Sequence, residues 1–540
     1  MNCPTPSKHH LLDLPPETVD EILAHISSPT SLLAVARTCK ALASLVIPNH
    51  LHFRIIRAPM GRTELWKSIL RDDLHAASVR SLIIQDEQAW DADETSSKIP
   101  PFAGLAPESR KERALGNGPG QLDPYGEALP IFVSAIRRMF KLNEFAWNRA
   151  ASTNFKGMDD VWTALQELGT VTTLDISDHP DGDGTIEGTI GDLREASTPR
   201  LTTLKVHTSA FDHQADEPDA TPLIDMLLHR CPNLEVLELT LVVHRHLSSA
   251  SMSSLLSNAT WPNLHTLHLT EGVGCSVDSL VRFLETHPGI EDLSLGRMMP
   301  GRSWEQFAQA LDTIAPILPR LKTLECSSAQ AAALLKPSMV TLTSLSGVDM
   351  RDEIVVDDYF GWDDEWELEH AEDENYEEDT TVPIPSPWKT PFLQRLAACP
   401  SIRYLGVIHY ENLAQLEVLA TIAPQLTWLD IDTCGLLVDS VEQIAQWCAF
   451  YSLFPSLKAI RAEHLVYRGQ HGEYSMNEND DCIQALARAC PQLEVLILWK
   501  RKIILIRDKA EQVGAPVRWI SRMLDASEEV DGEVVYPTEQ

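Results

Sequence analysis

The sequence predicts an α/β solenoid, with parallel strands and crossover helices, carried behind a small all-helical head. Three observations predict it. A short alternating frame, x-Leu-x-x-Leu-x-Leu, recurs along most of the chain and is clearest at Leu234, Leu237 and Leu239 after Cys231-Pro232. Between frames the apolar residues shift to helical spacing, as at Val277, Leu280, Val281 and Leu284. The first fifty residues show helical spacing alone. Strand and helix alternating at this period require parallel strands joined by crossover helices.

The head comes first. Leu14-Pro15-Pro16-Glu17 opens a helix: the prolines pre-set the backbone at its start, and Glu17 favours the first-turn dipole. Val19, Ile22, Leu23 and Ile26 form its apolar stripe. After the break at Ser28-Pro29 come Leu32, Leu33 and Val35 up to Lys40, then Leu42, Leu45, Val46 and Pro48. A three-helix unit of this size is marginal alone and gains from a partner helix or from the chain that follows.

Frames preceded by proline start at Pro199 (Leu201, Leu204, Val206), Pro262 (Leu264, Leu267, Leu269), Pro288 (Ile290, Leu293, Leu295) and Pro319 (Leu321, Leu324, Cys326). They resume at Pro400 (Ile402, Leu405, Val407), Pro424 (Leu426, Leu429, Ile431), Pro455 (Leu457, Ile460, Ala462) and Pro491 (Leu493, Leu496, Leu498). Copies without proline read as Val79, Leu82, Ile84; Leu142, Phe145, Trp147; Val171, Leu174, Ile176; and Leu345, Val348, Met350. The spacing is mostly 24 to 36 residues, a solenoid period. Ser276 is placed to cap the helix after it, and Ser303 to Gln306 and Ser440 to Gln443 read as capping boxes. Stacking such units predicts strands on a concave side and helices outside.

Two insertions interrupt the array. Residues 87–129 are rich in Pro, Gly and charge and read as a long loop. Residues 352–387 hold fifteen acidic residues between Asp352 and Asp379 with no Lys or Arg, a density that predicts disorder. Five aromatics sit among them (Tyr359, Phe360, Trp362, Trp366, Tyr376), so a docking segment for a basic partner is the sharper alternative to a solvated insertion. The expected organisation is a flexible stretch 1–10, a head 11–55, repeats 56–351 and 388–523, and a loose acidic tail 524–540.

A net charge of −34 argues against nucleic-acid binding, which needs clustered Lys and Arg, and suits basic partners. Ten cysteines without a CxxC pair fit a reducing compartment. With no charged-then-apolar leader in the first ten residues and no run of about 18 apolar residues, the reading is a cytoplasmic or nuclear protein without a membrane span. Lys500-Arg501-Lys502 reads as a surface turn after a strand rather than an import signal.

Catalytic and metal motifs are weak. His179 to Ile186 imitates a calcium loop, but His179 and Ile190 stand where ligating Asp and Glu are needed. His244-Arg245-His246 lacks a third ligand at suitable spacing. Gly116 to Gly120 lacks the Lys-Ser/Thr of a phosphate loop. Cys231, Cys399 and Cys490 recur at one position of the unit, as packing residues do, and Cys39 lies on an apolar face. The chain reads as no enzyme, with no cofactor and no metal.

The head, over Leu12 to Phe53, resembles the F-box, the helical module that plugs into the Skp-type adaptor of cullin–RING ubiquitin ligases. The frames resemble leucine-rich repeats of the cysteine-containing subtype, in which Cys-Pro precedes the first Leu; Cys231, Cys399 and Cys490 match, while His287, Ala423 and Leu318 replace the Cys elsewhere. The resemblance implies adaptor contact through Leu14, Pro15, Glu17, Ile22, Leu32 and Val35, and a substrate receptor that delivers a captured protein to the ligase; the acidic charge suits a basic one. The strand face pointing away from the core is the expected substrate side. Early frames offer Thr173, Asp175, Thr203, Lys205, Thr266 and His268; later ones offer Tyr404, Trp428, Asp430, Asp432, Arg461 and Trp499, the residue types that dominate binding hot spots. A scaffold that never engages the ligase is the alternative, and a small-molecule or peptide receptor a weaker one, since only Lys205 and Arg461 supply cations at those positions.

Overall fold

A computed structural model describes residues 11–85 (except 27 and 52), 127–149, 158–178, 200–211, 220–243, 250–296 (except 271 and 272), 303–312, 317–354 (except 352), 384–431 (except 386 and 387), 441–462, 480–498, 501–506 and 517–523. The chain forms two compact units, Met1–His244 and Arg245–Gln540.

The first unit opens with three short helices, α1 (Pro16–Ala24), α2 (Pro29–Ala36) and α3 (Lys40–Val46). Proline at the start of α1 and α2 costs no hydrogen bond, because the first turn has no acceptor to offer its N–H. Ser28 Oγ accepts from the Ser31 N–H at 3.4 Å and caps α2. The helices close on Val19, Leu23, Leu32, Ala36, Leu42 and Val46, with Ile26, Val35, Cys39, Leu45 and Leu51 packed around them. Arg54, 7% exposed, ties this head to the strands that follow: its guanidinium donates to the Ile26 carbonyl at 2.8 Å, and its own carbonyl accepts from Arg80 and Ser81.

Six parallel strands follow: β1 (Ile55–Ala58), β2 (Ser81–Gln85), β3 (Glu144–Arg149), β4 (Thr173–Asp178), β5 (Thr203–Phe211) and β6 (Val236–Val243). The second apolar position of every frame lies in one register, Ile56, Leu82, Phe145, Leu174, Leu204 and Leu237, and the third in another, Ala58, Ile84, Trp147, Ile176, Val206 and Leu239. All twelve are buried. The array thus begins at β1, ahead of the first frame read from the sequence.

In the second unit the parallel order is β8 (Thr266–Thr270), β10 (Asp292–Leu295), β11 (Thr323–Cys326), β12 (Ser344–Asp349), β15 (Tyr404–His409), β16 (Trp428–Ile431), β17 (Ala459–Arg461) and β18 (Val495–Leu498), while the two-residue strands β7 (Ala250–Ser251) and β9 (Val273–Gly274) pair with each other. Leu267, Leu293, Leu324, Leu345, Leu405, Leu429, Ile460 and Leu496 share one register. This corrects the frame read as Leu345, Val348, Met350: Leu345 occupies the second position, with buried Leu342 first and Val348 third. The cause is Gly347, whose positive φ (+80°) lets β12 bulge by one residue; a Cβ there would stand 3.0 Å from the Cys326 carbonyl oxygen.

The parallel run ends where β19 (Arg501–Ile506) pairs antiparallel with β18 and β20 (Arg518–Met523) antiparallel with β19. Arg501 and Lys502 therefore belong to a strand, not to a turn, and Lys502 is buried. The ends of the acidic insertion also pair, β13 (Glu353–Ile354) against β14 (Ile384–Pro385). Its interior, residues 355–383, lies outside the described residues, as do most of the 87–129 loop and the 524–540 tail.

The Cys-Pro step and its proline-containing variants have a simple physical meaning. The first residue is buried, the second exposed, and the Leu two places on buried again. Phe140 and Val340, at 55% and 75% exposed, occupy the proline place, so they are loop tips rather than docking residues. His287 takes the Cys place: its Nδ1 donates to the Phe283 carbonyl at 2.8 Å, its Nε2 accepts from the Trp261 N–H at 3.1 Å, and its ring stacks on Phe283 at 4.0 Å. Ser276 does cap its helix, accepting from the Ser279 N–H at 3.3 Å. A full capping box sits at Ser327 and Gln330.

Burial lowers the His287 pKa, against the opposing pull of the Phe283 carbonyl. The neutral ring is thus the folded form. Its contribution is complete above about pH 6.5, the ordinary imidazole value, and is lost as the pH falls from there through the lower value of the folded state. His287→Cys should therefore unfold with a shallower loss of stability between pH 7 and pH 5 than wild type, measured as urea midpoints across that range. It should also be less stable overall by about 1–3 kcal/mol, because the Trp261 N–H loses its acceptor.

Candidate functional surfaces

The head presents an apolar outer surface because three short helices cannot turn every aliphatic residue inward. Leu14 and Ile22 are 38% and 40% exposed, and Pro15 and Glu17 are exposed beside them. A shallow groove of about 260 Å³ runs between α1 and α3, lined by Leu14, Pro16, Val19, Ala41, Ser44 and Leu45. Leu33 and Ile47 extend the exposed apolar area. Of the six expected contact residues, Leu32 and Val35 lie wholly or partly inward. Leu32 is fully buried in the head's own core and offers no outward surface, and Val35 is half-buried against that core. Leu33, one residue on, is the outward member of the Leu-Leu pair; the sequence pattern could not choose between them.

The second candidate is the sheet face of the second unit that points away from the frame leucines. Across it, register places Ser294 (β10), Glu325 (β11), Ser346 (β12), Gly406 (β15), Asp430 (β16) and Arg461 (β17) side by side. The Tyr404 hydroxyl donates to Asp430 Oδ2 at 2.9 Å, and Arg461 Nη1 stands 3.9 Å from the same oxygen. Burial and the Asp430 carboxylate hold the Tyr404 phenol well above its ordinary range, so it remains a donor. Gly406 makes the bond possible: a Cβ there would lie 3.3 Å from the Tyr404 oxygen and 2.9 Å from the Ser346 Cβ.

Tyr404, Asp430 and Arg461 are thus brought together as expected of neighbouring face positions. Trp428 is not the exposed anchor it was read to be. It is 8% exposed, packed with Ala459, Ile497, Tyr404 and Val495, and meets the Tyr404 ring edge-on at 4.9 Å. Its indole N–H finds no acceptor among the described residues. Asp432 and Trp499 lie outside the described residues. The earlier face is more polar: Lys205 bridges to Glu238 at 2.9 Å, and burial raises Asp175 despite the neighbouring Lys205.

Among the described residues no group of three or more His, Cys, Asp or Glu could hold a metal ion, and no helix is long and apolar enough to cross a membrane. The calcium-like loop, His244 to His246 and Gly116 to Gly120 lie outside those residues. Burial pushes the Cys231 and Cys482 thiols up to about 12, which suits packing groups and leaves almost no thiolate.

Residues 11–58 match the family model described as F-box-like, so the head is an F-box-like domain extended through β1. No curated protein matches the chain. Among solved structures, the leucine-rich repeat-containing protein LegL7 from Legionella pneumophila is 13% identical, covering 61% of this chain and 83% of its own, with a TM-score of 0.29. Rad7 in its yeast complex with Elc1 is 11% identical, covering 77% and 86%, with a TM-score of 0.36. A Bacteroides fragilis protein is 12% identical, covering 68% and 69%, with a TM-score of 0.27. The assignment of the array to repeating strand–helix units rests on its own register.

Leu32→Ala should lower the free energy of unfolding by about 2–5 kcal/mol, since it opens a cavity in the head. Ile22→Ala, on the exposed side of α1, should change it by less than about 1 kcal/mol. Denaturant titration followed by circular dichroism reads both.

Proposed function

We propose that this chain is the substrate-recognition subunit of a cullin–RING ubiquitin ligase. The head binds a Skp-type adaptor and through it a cullin; the array captures a protein substrate; ubiquitin transfer belongs to the ligase. The division of labour follows the organisation read along the chain, a head at 11–55 and repeats at 56–351 and 388–523, with the acidic insertion 352–387 between them. This chain contributes proximity and choice, holding the substrate where transfer becomes effectively intramolecular. Such work belongs in the cytoplasm or nucleus.

The observation that carries the reading is the F-box-like match over residues 11–58, on a domain whose apolar residues Leu14 and Ile22 stay on the outside. A domain that needed them only for its own closure would bury them, as it buries Val19 and Leu23. Leu14, Pro15, Glu17 and Ile22 are the contact residues we assign, with Leu33 in the place of Leu32. Their burial by a partner helix adds roughly 25 cal/mol per Å2 of apolar area, concentrated on few residues.

Co-purification tests it. The full-length chain should retain a Skp-type adaptor, and the Leu14→Ala, Pro15→Ala double variant should lose it while keeping its circular dichroism spectrum. Failure of the wild-type chain to retain the adaptor would overturn the reading and leave an interaction scaffold.

A further inference from the structure

We propose that the sheet face of the second unit receives a lysine or arginine side chain of the captured protein, seated over Ser346 between the Glu325 carboxylate and the Tyr404–Asp430 pair. This rests on the array being the partner-binding part of the chain and names the chemistry it selects.

Shape comes first. Adjacent strands lie about 4.8 Å apart, so Glu325 on β11 and Asp430 on β16 are separated by roughly 14 Å of sheet. The positions between them are Ser346 and Gly406, both small. Tyr404 crosses Gly406 to reach Asp430, so register puts Ser346 between the Glu325 carboxylate on one side and the Tyr404–Asp430 pair on the other.

Charge decides the occupant. Glu325 is exposed, accepts a 2.9 Å hydrogen bond from Ser294 Oγ, and has no cation within ion-pair distance among the described residues. Asp430 already faces Arg461, so the uncompensated charge of the slot is negative and sits at Glu325. Asp292, facing His268 at 3.4 Å, keeps the neighbouring strand acidic too. An anion would meet Glu325 and Asp430 together. A cation would meet the Glu325 carboxylate directly, with the Asp430 charge behind the Tyr404 hydroxyl adding to the attraction.

The aromatic wall is held in place: Tyr404 meets Trp428 edge-on at 4.9 Å, and Trp428 is itself packed against Ala459, Ile497 and Val495.

The test uses the full-length chain and fluorescence anisotropy with two labelled peptides, one rich in Lys and Arg and one with Glu at those places. The basic peptide should bind more tightly. Glu325→Lys should weaken it roughly tenfold, because charge reversal removes an attraction and adds a repulsion. Glu285→Lys, the same charge change on an exposed helical position of the same unit, should leave it unchanged. Equal weakening by both variants would overturn the slot, since only net charge would then be read. Tighter binding of the acidic peptide, weakened by Arg461→Glu, would overturn the cationic occupant while keeping the face as a partner surface. Binding of neither peptide would overturn both.

Discussion

The constraint on which this molecule depends is that no strand–helix unit of some thirty residues can bury its own leucines. Each frame leaves an apolar row on one side of one strand, and only the next frame, in register, covers it. Leu293 is buried because Leu267 and Leu324 flank it, and the same holds for Leu429 between Leu405 and Ile460. Each fully buried aliphatic side chain contributes roughly 1.5–3 kcal/mol before conformational entropy is subtracted, so a register slip in one strand would forfeit two neighbours' contributions together. That is why β12, which carries one residue too many, bulges at Gly347 and returns Val348 to register opposite Val407.

Because every strand of the ladder spends one face on it, its other face can carry polar groups, beside the local packing of Trp428, Ala459 and Ile497. Chemistry accumulates there, as the Tyr404, Asp430 and Arg461 contacts show. The head obeys the same arithmetic at smaller scale. Its three helices bury six residues completely and leave Leu14, Ile22, Leu33 and Ile47 outside. Arg54 then links the head to the array through the Ile26 carbonyl and the Arg80 and Ser81 amides.

Features with a period were legible in the sequence, and features set by a single tertiary contact were not. The frames, the helical stretches and the Ser276 cap depend on residues close in the chain, and they appear where expected. The frame at Leu345 was misplaced by three residues because the Gly347 bulge is invisible to a fixed spacing. Arg501 and Lys502 looked like a turn because charge usually marks one, yet β18 and β20 hold them between strands. Trp428 alternates correctly for the free face, but Tyr404 and Ile497 close over it. Leu32 and Leu33 are indistinguishable by pattern, and only the three-helix packing separates core from surface.

Amide hydrogen exchange of the full-length chain with and without a purified Skp-type adaptor tests the central claim most directly. The account predicts new protection across α1 to α3, centred on residues 14–22, with the strands of the second unit unchanged. Protection confined to those strands, or none anywhere at saturating adaptor, would contradict it.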